Sequence, residues 1–146
     1  MNEVTDKAEI ELPVVQAQPI RLQRESGVTV VFLNRPEKGN AWSSELGRAY
    51  FSCLEMLATD AETRVIVITG SGKNFCVGAD PTLLGKIASD GAHQSQSDKS
   101  VLEKPYYFPL TVGKPIIAAV NGACFGIGFQ QLLCSDIRFL ADDCKL

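Results

Sequence analysis

The sequence is poor in the residues that build metal centres. It contains a single histidine, His93, and its five cysteines are widely spaced, with no C-x-x-C pair. A zinc site of the usual ligand spacing is therefore not expected, and we predict no metal ion. An odd number of scattered thiols in apolar surroundings favours a reducing compartment, where each cysteine packs as a small hydrophobe. The five are Cys53, Cys76, Cys124, Cys134 and Cys144.

Clusters of basic residues and long apolar runs are also lacking. With a net charge of −3 and scattered Lys and Arg residues, the sequence does not predict a basic surface that would bind nucleic acid. No run of 18 apolar residues occurs, so we expect no membrane span. The acidic start, with Glu3, Asp6, Glu9 and Glu11, does not fit a secretory signal or a mitochondrial transit peptide. The compartment stays open among cytosol, peroxisome-type organelle and mitochondrial matrix, and the closing Cys144-Lys145-Leu146 resembles a peroxisomal address.

The composition, 45% hydrophobic and 21% charged, suits one soluble domain or part of a larger one. Residues 1–19 lack periodicity and are predicted to be a flexible leader. Two strands, 20–24 and 28–33, are joined at Glu25-Ser26-Gly27 and predict a β-hairpin. The loop of residues 34–40 follows, and Ser43 or Ser44 is expected to cap a helix that ends near Thr59. Its apolar face consists of Leu46, Ala49, Tyr50, Cys53, Leu54 and Leu57.

Two later segments, residues 65–69 and 116–120, are uninterrupted apolar runs and predict strands buried on both faces. A short helix is expected from Pro81 to Ile87. Residues 88–100 predict a mobile loop in which His93 is solvated, and residues 101–110 are ambiguous because of two prolines. An apolar segment at 129–133 that could be helical and a strand at 137–140 complete the chain. This order indicates an α/β domain with a largely buried sheet.

Two glycine-containing turns, each after a buried strand, are the candidates for chemistry. They are Gly78-Ala79-Asp80 and Gly126-Ile127-Gly128. Each turn presents backbone N–H groups that lack a helical partner, and two such groups could hold one carbonyl oxygen on which negative charge develops. The alternative is that the glycines serve only close packing. Spacing along the chain does not decide whether the two turns converge.

Three stretches carry a resemblance to a known family. They are NRPEKGNA at residues 34–41, VIVITGSGKNFCVGAD at 65–80 and KPIIAAVNGACFGIGFQQLLCSDIRFLADD at 114–143. In order and approximate spacing they resemble signatures of the enoyl-CoA hydratase/isomerase (crotonase) superfamily. The resemblance covers about residues 20–146. It implies an α/β fold, the crotonase-like ββα spiral, in truncated form, with residues 20–146 as the N-terminal part of an acyl-CoA-binding domain.

The resemblance also implies a ligand and the residues that contact it. The partner would be an acyl-CoA thioester, with no cofactor beyond the coenzyme A of the substrate, and a complete domain would form a homotrimer. The oxyanion hole would consist of the backbone N–H groups of Ala79 and Ile127. The positions implied to contact coenzyme A are Lys38, Asn40, Ala41, Asp80, Pro81 and Thr82, besides the two donors themselves.

The sequence departs from the family pattern at two positions. Ile127 stands at the middle glycine of the frequent G-G-G, where its N–H remains and its side chain would either narrow the acyl pocket or move the turn. Gln130 replaces the first catalytic glutamate, and an amide does not act as a general base near neutral pH. The second acid is not found within residues 1–146. Hydration is thereby disfavoured, and an enoyl-CoA isomerase of fatty-acid β-oxidation is the favoured activity. The alternatives are a non-catalytic acyl-CoA-binding or scaffold protein and an inactive fragment.

The remaining polar and aromatic residues are expected to be structural. Asp80 is as well suited to capping the helix at Pro81 as to touching a ligand. Cys76, Trp42 and Tyr50 are expected to pack in the core. Asp136 and Arg138 are expected to make structural polar contacts.

Overall fold

The computed structural model describes residues 18–82, 85 and 104–146 of the chain. Within them, five strands form one sheet in chain order, which confirms the predicted α/β class. The strands are β1 Ile20–Glu25, β2 Val28–Leu33, β3 Val65–Gly70, β4 Ile116–Val120 and β5 Ile137–Leu140; the helices are α1 Ser44–Thr59 and α2 Ile127–Leu133, and 3-10 helices occupy Pro36–Lys38 and Phe108–Thr111.

The predicted hairpin opens the sheet. β1 and β2 pair antiparallel, with Glu25 opposite Val28. The two turn residues, Ser26 and Gly27, have φ of 49° and 84°. Positive φ at both central positions matches the twist of a two-residue hairpin. The other neighbours, β2 with β3, β3 with β4 and β4 with β5, pair parallel, so that their carboxyl ends meet at one edge.

Helix α1 supplies much of the core. As predicted, it is capped by Ser43, whose hydroxyl accepts the Leu46 N–H at 3.1 Å. At the other end the Lys114 ammonium donates to the carbonyls of Leu57, in the last turn, and Asp60, the C-cap residue, both at 2.6 Å. The buried face of α1 joins the sheet residues in one hydrophobic cluster. Trp42 and Tyr50, expected in this core, are fully buried.

The prediction that β3 and β4 are buried on both faces is wrong. In β3, Ile66 and Ile68 are buried, whereas Val65 and Val67 are only half-buried. β4 alternates in the same way. Successive side chains of a strand point to opposite faces, and the described residues close only one face of the sheet. The last strand, β5, is exposed at every residue, with Phe139 at 64%.

The expected structural polar contacts are present at the end of the sheet. The Asp136 carboxylate accepts the Ile116 N–H at 2.8 Å. The Arg138 guanidinium donates to three carbonyls at the end of α2, those of Leu132, Leu133 and Ser135. All five cysteines are free thiols, and three of them are buried. No helix within the described part of the chain is long and apolar enough to cross a membrane.

Several predictions fall partly or wholly outside the described residues. These are the leader up to residue 17, the helix after Thr82 apart from residue 85, and the loop of residues 88–100 with His93. At the edges of the described segments, Asn34 donates to the carbonyls of Gln18 and Pro19. Pro81 and Thr82 are helical, in agreement with a helix that begins at Pro81.

Candidate active site

The first candidate donor, the backbone N–H of Ala79, lies on a turn beside Trp42. The Trp42 N–H donates to the Gly78 carbonyl at 2.7 Å, and the Asp80 N–H donates to the Trp42 carbonyl at 2.9 Å. The Gly78 carbonyl and the Ala79 N–H belong to one trans peptide group and point in opposite directions. The Ala79 N–H is therefore directed away from Trp42. It has no acceptor among the described residues.

The second candidate donor, the backbone N–H of Ile127, is the first N–H of α2. Gly126 enters the helix with φ 52° and ψ −117°, a conformation that a residue with a Cβ rarely adopts. The Gly126 carbonyl accepts the Gln130 N–H at 3.0 Å and so begins the helical ladder. Its peptide partner, the Ile127 N–H, points the other way, out of the helix end. Within the residues that the structure describes, it too has no acceptor.

The two turns lie against each other. The Phe125 N–H donates to the Cys76 carbonyl at 2.9 Å, and the Cys76 N–H donates to the Ala123 carbonyl at 3.0 Å. A Cβ placed on Gly126 would lie 3.6 Å from the Cα of Gly78. Ala79 and Ile127, the residues after these two glycines, are both half-buried. The structure thus brings together the two donor turns whose proximity the spacing of the sequence left open.

Asp80 is engaged by protein groups on both carboxylate oxygens. Oδ1 accepts the Thr82 hydroxyl at 2.7 Å and the Thr82 N–H at 3.0 Å, which is the predicted helix cap. Oδ2 forms an ion pair with Arg35 at 3.0 Å. These contacts, led by the Thr82 hydroxyl, hold the pKa of Asp80 below its usual value. A carboxylate stabilised in this way is a weak base and is poorly suited to removing a proton from a ligand.

The loop predicted to contact coenzyme A is built on Asn40. Its buried side-chain amide donates to the carbonyls of Ser71 and Asn74 at 2.9 and 2.8 Å, and its oxygen accepts the Arg35 N–H at 2.8 Å. The Asn40 amide is therefore occupied in shaping the loop. Lys38 is exposed, and Ala41 is buried.

The same loop is joined to the first donor turn. The Val77 N–H donates to the Gly39 carbonyl at 3.2 Å. Pro81 and Thr82, the other residues predicted to approach coenzyme A, are exposed at the end of that turn. A ligand bound at the Ala79 N–H would thus have the exposed Lys38 side chain on an adjoining loop.

Gln130 lies one helical turn after Ile127. Residues three apart neighbour each other on a helix surface. The Gln130 side chain is exposed, and in the described part of the molecule it forms no hydrogen bond. The next residue, Gln131, is 2% exposed and donates to the Tyr106 carbonyl at 3.3 Å. Of these two amides, the exposed one of Gln130 is the more accessible to a ligand near the second donor.

Two contributors to the site were missed by the sequence reasoning. Arg35 binds Asp80 and the Ala41 carbonyl, and Gln131 anchors α2. The sequence around Arg35, a polar loop before a proline, does not indicate that Arg35 pairs with Asp80, 45 positions later. Gln131 lies on the buried side of α2 with Gly128 and Leu132, three residues before it and one after it. This helical spacing could have indicated from the sequence that Gln131 is buried.

The arrangement suits the binding of a carbonyl oxygen. No group of His, Cys, Asp and Glu suited to a metal ion occurs among the described residues. A shallow cavity of about 230 Å³ lies elsewhere, at the carboxyl ends of β3, β4 and β5, and includes none of the predicted site residues. What the two turns offer is a pair of main-chain donors in half-buried surroundings, the composition of an oxyanion hole.

Comparison with known proteins places this geometry in context. A family model described as enoyl-CoA hydratase/isomerase matches residues 23–146. The chain is 34% identical over 126 residues to the hydroxycinnamoyl-CoA hydratase-lyase of Pseudomonas fluorescens, covering 85% of this chain and 46% of that protein. It is 31% identical over 133 residues to the peroxisomal Δ(3,5)-Δ(2,4)-dienoyl-CoA isomerase of Arabidopsis thaliana, covering 85% of this chain and 48% of that protein.

A solved structure agrees with these sequence matches. The crystal structure of an enoyl-CoA hydratase from Shewanella pealeana superposes with a TM-score of 0.76 at 28% identity, covering 84% of this chain and 46% of that one. The chain thus spans about half the length of the relatives it matches.

Proposed function

Because the chain belongs to the enoyl-CoA hydratase/isomerase family and has its crotonase fold, we propose that it binds an acyl-CoA thioester. The thioester oxygen would lie between the N–H groups of Ala79 and Ile127. One observation carries this proposal: both N–H groups lack an acceptor among the described residues and lie on turns that touch each other. A ligand oxygen at this place would give both half-buried donors an acceptor.

The chemistry that such a pair favours is the formation of a thioester enolate. Removal of a proton next to the carbonyl places negative charge on the oxygen, and preorganised donors stabilise that charge more than they stabilise the neutral thioester. We propose isomerisation of an enoyl-CoA in fatty-acid metabolism as the reaction. Gln130 would orient the acyl group by hydrogen bonding, because its amide does not exchange protons near neutral pH. The proton would be carried by a group other than Asp80, whose carboxylate is held by Arg35 and Thr82.

The remainder of coenzyme A would run along the adjoining loop. The Lys38 ammonium is free to meet a phosphate, because the side chain is exposed and forms no ion pair within the described residues. The exposed Pro81 and Thr82 would flank the ligand where the turn enters a helix.

A second candidate function, binding of acyl-CoA without catalysis, is favoured by the side chains of Gln130 and Asp80. The Gln130 amide and the engaged Asp80 carboxylate both fit a protein that binds acyl-CoA without turning it over. In that case the two donors hold the thioester, and no enolate forms.

The decisive experiment removes one donor and controls for the side chain that is lost with it. Ile127 occupies the first helical position, where proline is tolerated because its missing N–H would have no helical partner. Ile127→Pro therefore deletes the donor, and Ile127→Ala, the matched control, removes the side chain but keeps the N–H. Binding of an acyl-CoA thioester and of free coenzyme A is measured by calorimetry on wild type and both variants.

We expect Ile127→Pro to weaken thioester binding about fivefold, the worth of one hydrogen bond of ~1 kcal/mol. Binding of free coenzyme A should stay unchanged, and Ile127→Ala should retain the preference for the thioester. Equal thioester binding by the two variants would overturn the proposed hole. Exchange of the proton next to the thioester carbonyl in D₂O, followed by NMR, separates the two functions: exchange supports the enzyme, and binding without exchange supports the binding protein.

A further inference from the structure

We propose that the Cys76 side chain is a positioning residue that sets the distance between the two donor turns. This inference rests on the proposed oxyanion hole and deepens it. It assigns no chemistry to the thiol. It states that the sulfur acts as a spacer, whose size decides whether Ala79 and Ile127 reach the same oxygen atom.

The main chain of Cys76 already joins the two turns. Cys76 and Cys124 form an isolated parallel β-bridge. Its hydrogen bonds are those from the Cys76 N–H to the Ala123 carbonyl at 3.0 Å and from the Phe125 N–H to the Cys76 carbonyl at 2.9 Å. Residue 76 is therefore the point at which the first turn is fixed to the segment that leads into α2.

The side chain of Cys76 is enclosed between the glycines that neighbour the two donors. Its sulfur lies 4.0 Å from the carbonyl oxygen of Gly78, which shares a peptide group with the Ala79 N–H. On the other side, a Cβ placed on Gly128 would lie 2.6 Å from the Cβ of Cys76 and 3.0 Å from its sulfur. Gly128 directly follows Ile127. One fully buried side chain thus touches the residue next to each donor.

The described surroundings of the thiol favour a packing role over a reactive one. Burial raises the pKa of Cys76, against the smaller opposing effect of the backbone N–H groups of Gly78, Gly128 and Trp42. A thiol without thiolate character is a poor nucleophile. Steric contact is what this side chain contributes.

The contacts predict how substitutions act. Cys76→Val adds a second γ branch to a Cβ that Gly128 approaches closely, and we expect it to push α2 away from the first turn. Cys76→Ala removes the spacer and lets the turns approach. Cys76→Ser keeps a γ atom able to donate to the Gly78 carbonyl, but its oxygen is smaller than sulfur and fills only part of the space between the turns. A displacement of about 1 Å in a positioned group costs up to about a hundredfold in activity, so small changes in the distance are measurable.

The test uses two readouts that a merely structural residue would not move. The first is the ratio of the affinities for an acyl-CoA thioester and for free coenzyme A. The second is the carbonyl stretching band of a ¹³C-labelled thioester bound to the protein, which shifts to lower frequency as hydrogen bonds to the oxygen strengthen. Cys53→Val is the matched control, because Cys53 is a buried cysteine in the core face of α1.

We expect Cys76→Val and Cys76→Ala to lower the affinity ratio at least threefold and to return the band toward its frequency in water. Cys53→Val should keep both values, and Cys76→Ser should fall between Cys76→Ala and wild type. If the folded Val and Ala variants both keep the wild-type ratio and band, the spacer role is overturned while the hole stands. If wild type itself shows neither a thioester preference nor a band shift, the proposed hole fails, and this inference fails with it. Should Cys76→Val not fold, the comparison of Cys76→Ala with wild type decides.

Discussion

Arg35 and Asp80 form an ion pair between the loop after β2 and the turn that carries the first donor. Nη1 and Nη2 of Arg35 each lie 3.0 Å from Oδ2 of Asp80. Nη1 also donates to the Ala41 carbonyl at 2.7 Å. The Asp80 side chain is only 8% exposed, so solvent and salt screen the pair weakly. One guanidinium thus holds the loop proposed to bind coenzyme A against the turn proposed to bind the thioester.

Asp80→Asn is expected to lower the free energy of unfolding at pH 7 by about 1–3 kcal/mol, because it leaves Arg35 without its carboxylate. The pKa of Asp80 lies below its usual value, owing first to the Thr82 hydroxyl. The Asp80 carboxylate therefore contributes its full stabilisation of the folded state above the unfolded pKa of about 3.9. This stabilisation is lost as the pH falls below that value. Urea unfolding of wild type and Asp80→Asn should show that the difference between their free energies of unfolding is smaller at pH 3 than at pH 7. A gap of equal size at both pH values would contradict this role.

Gln130→Glu is expected to introduce a general base one helical turn from the Ile127 N–H. Exchange of the proton next to the carbonyl of a bound acyl-CoA should rise about a hundredfold, the low end of general-base catalysis. NMR in D₂O measures it, and loss of enoyl absorbance reports any hydration. Gln130→Ala is the control, since it removes the amide without adding a base. If Gln130→Glu binds acyl-CoA and exchanges no faster, Gln130 does not face the acyl chain.

Tyr50→Phe is expected to leave the protein as stable as wild type or to stabilise it by up to about 1 kcal/mol. The Tyr50 hydroxyl is fully buried and has no hydrogen-bond partner among the described residues, and an unpaired buried hydroxyl costs free energy. Thermal and urea unfolding give the comparison. Tyr107→Phe, at a tyrosine 61% exposed, should be neutral. A loss above about 1 kcal/mol in Tyr50→Phe would mean that the hydroxyl is hydrogen-bonded in solution.

Ser43→Ala is expected to cost about 1 kcal/mol, because the hydroxyl that accepts the Leu46 N–H is lost. Ser44→Ala is the matched control. In the described part of the chain the Ser44 hydroxyl makes no hydrogen bond, and alanine has the higher helix propensity. Urea unfolding midpoints of the two variants should therefore move in opposite directions. Equal losses would show that Ser43 does not act as the cap in solution.

Local signals predicted the elements of the fold well. The Ser26-Gly27 turn, the Ser43 cap and the apolar runs of β3 and β4 each act over a few residues, and all were confirmed. The burial of the second sheet face was predicted wrongly. An apolar run shows that a strand is able to be buried, but a second layer of residues decides whether it is, as the exposed Phe139 shows.

The site was predicted in parts and assembled only by the structure. Glycines indicated both donor turns, because positive φ at Gly78 and Gly126 is a local requirement. Their contact depends on the bridge between Cys76 and Cys124, a pairing across 48 positions that no spacing rule specifies. Placing the two turns together therefore required the fold.

In the Gly78–Ala79 and Gly126–Ile127 peptide groups, the carbonyl and the N–H point in opposite directions. This has a consequence for which residue types the two donor positions tolerate. Each donor is aimed by the carbonyl at the other end of its own amide, which is fixed by Trp42 in one case and by Gln130 in the other. The side chains at positions 79 and 127 take no part in the aiming. Position 79 is already alanine, and Ile127→Ala would change the shape of the pocket without removing the donor. The side chains at these two positions are thus free to vary while both N–H groups of the proposed hole are kept.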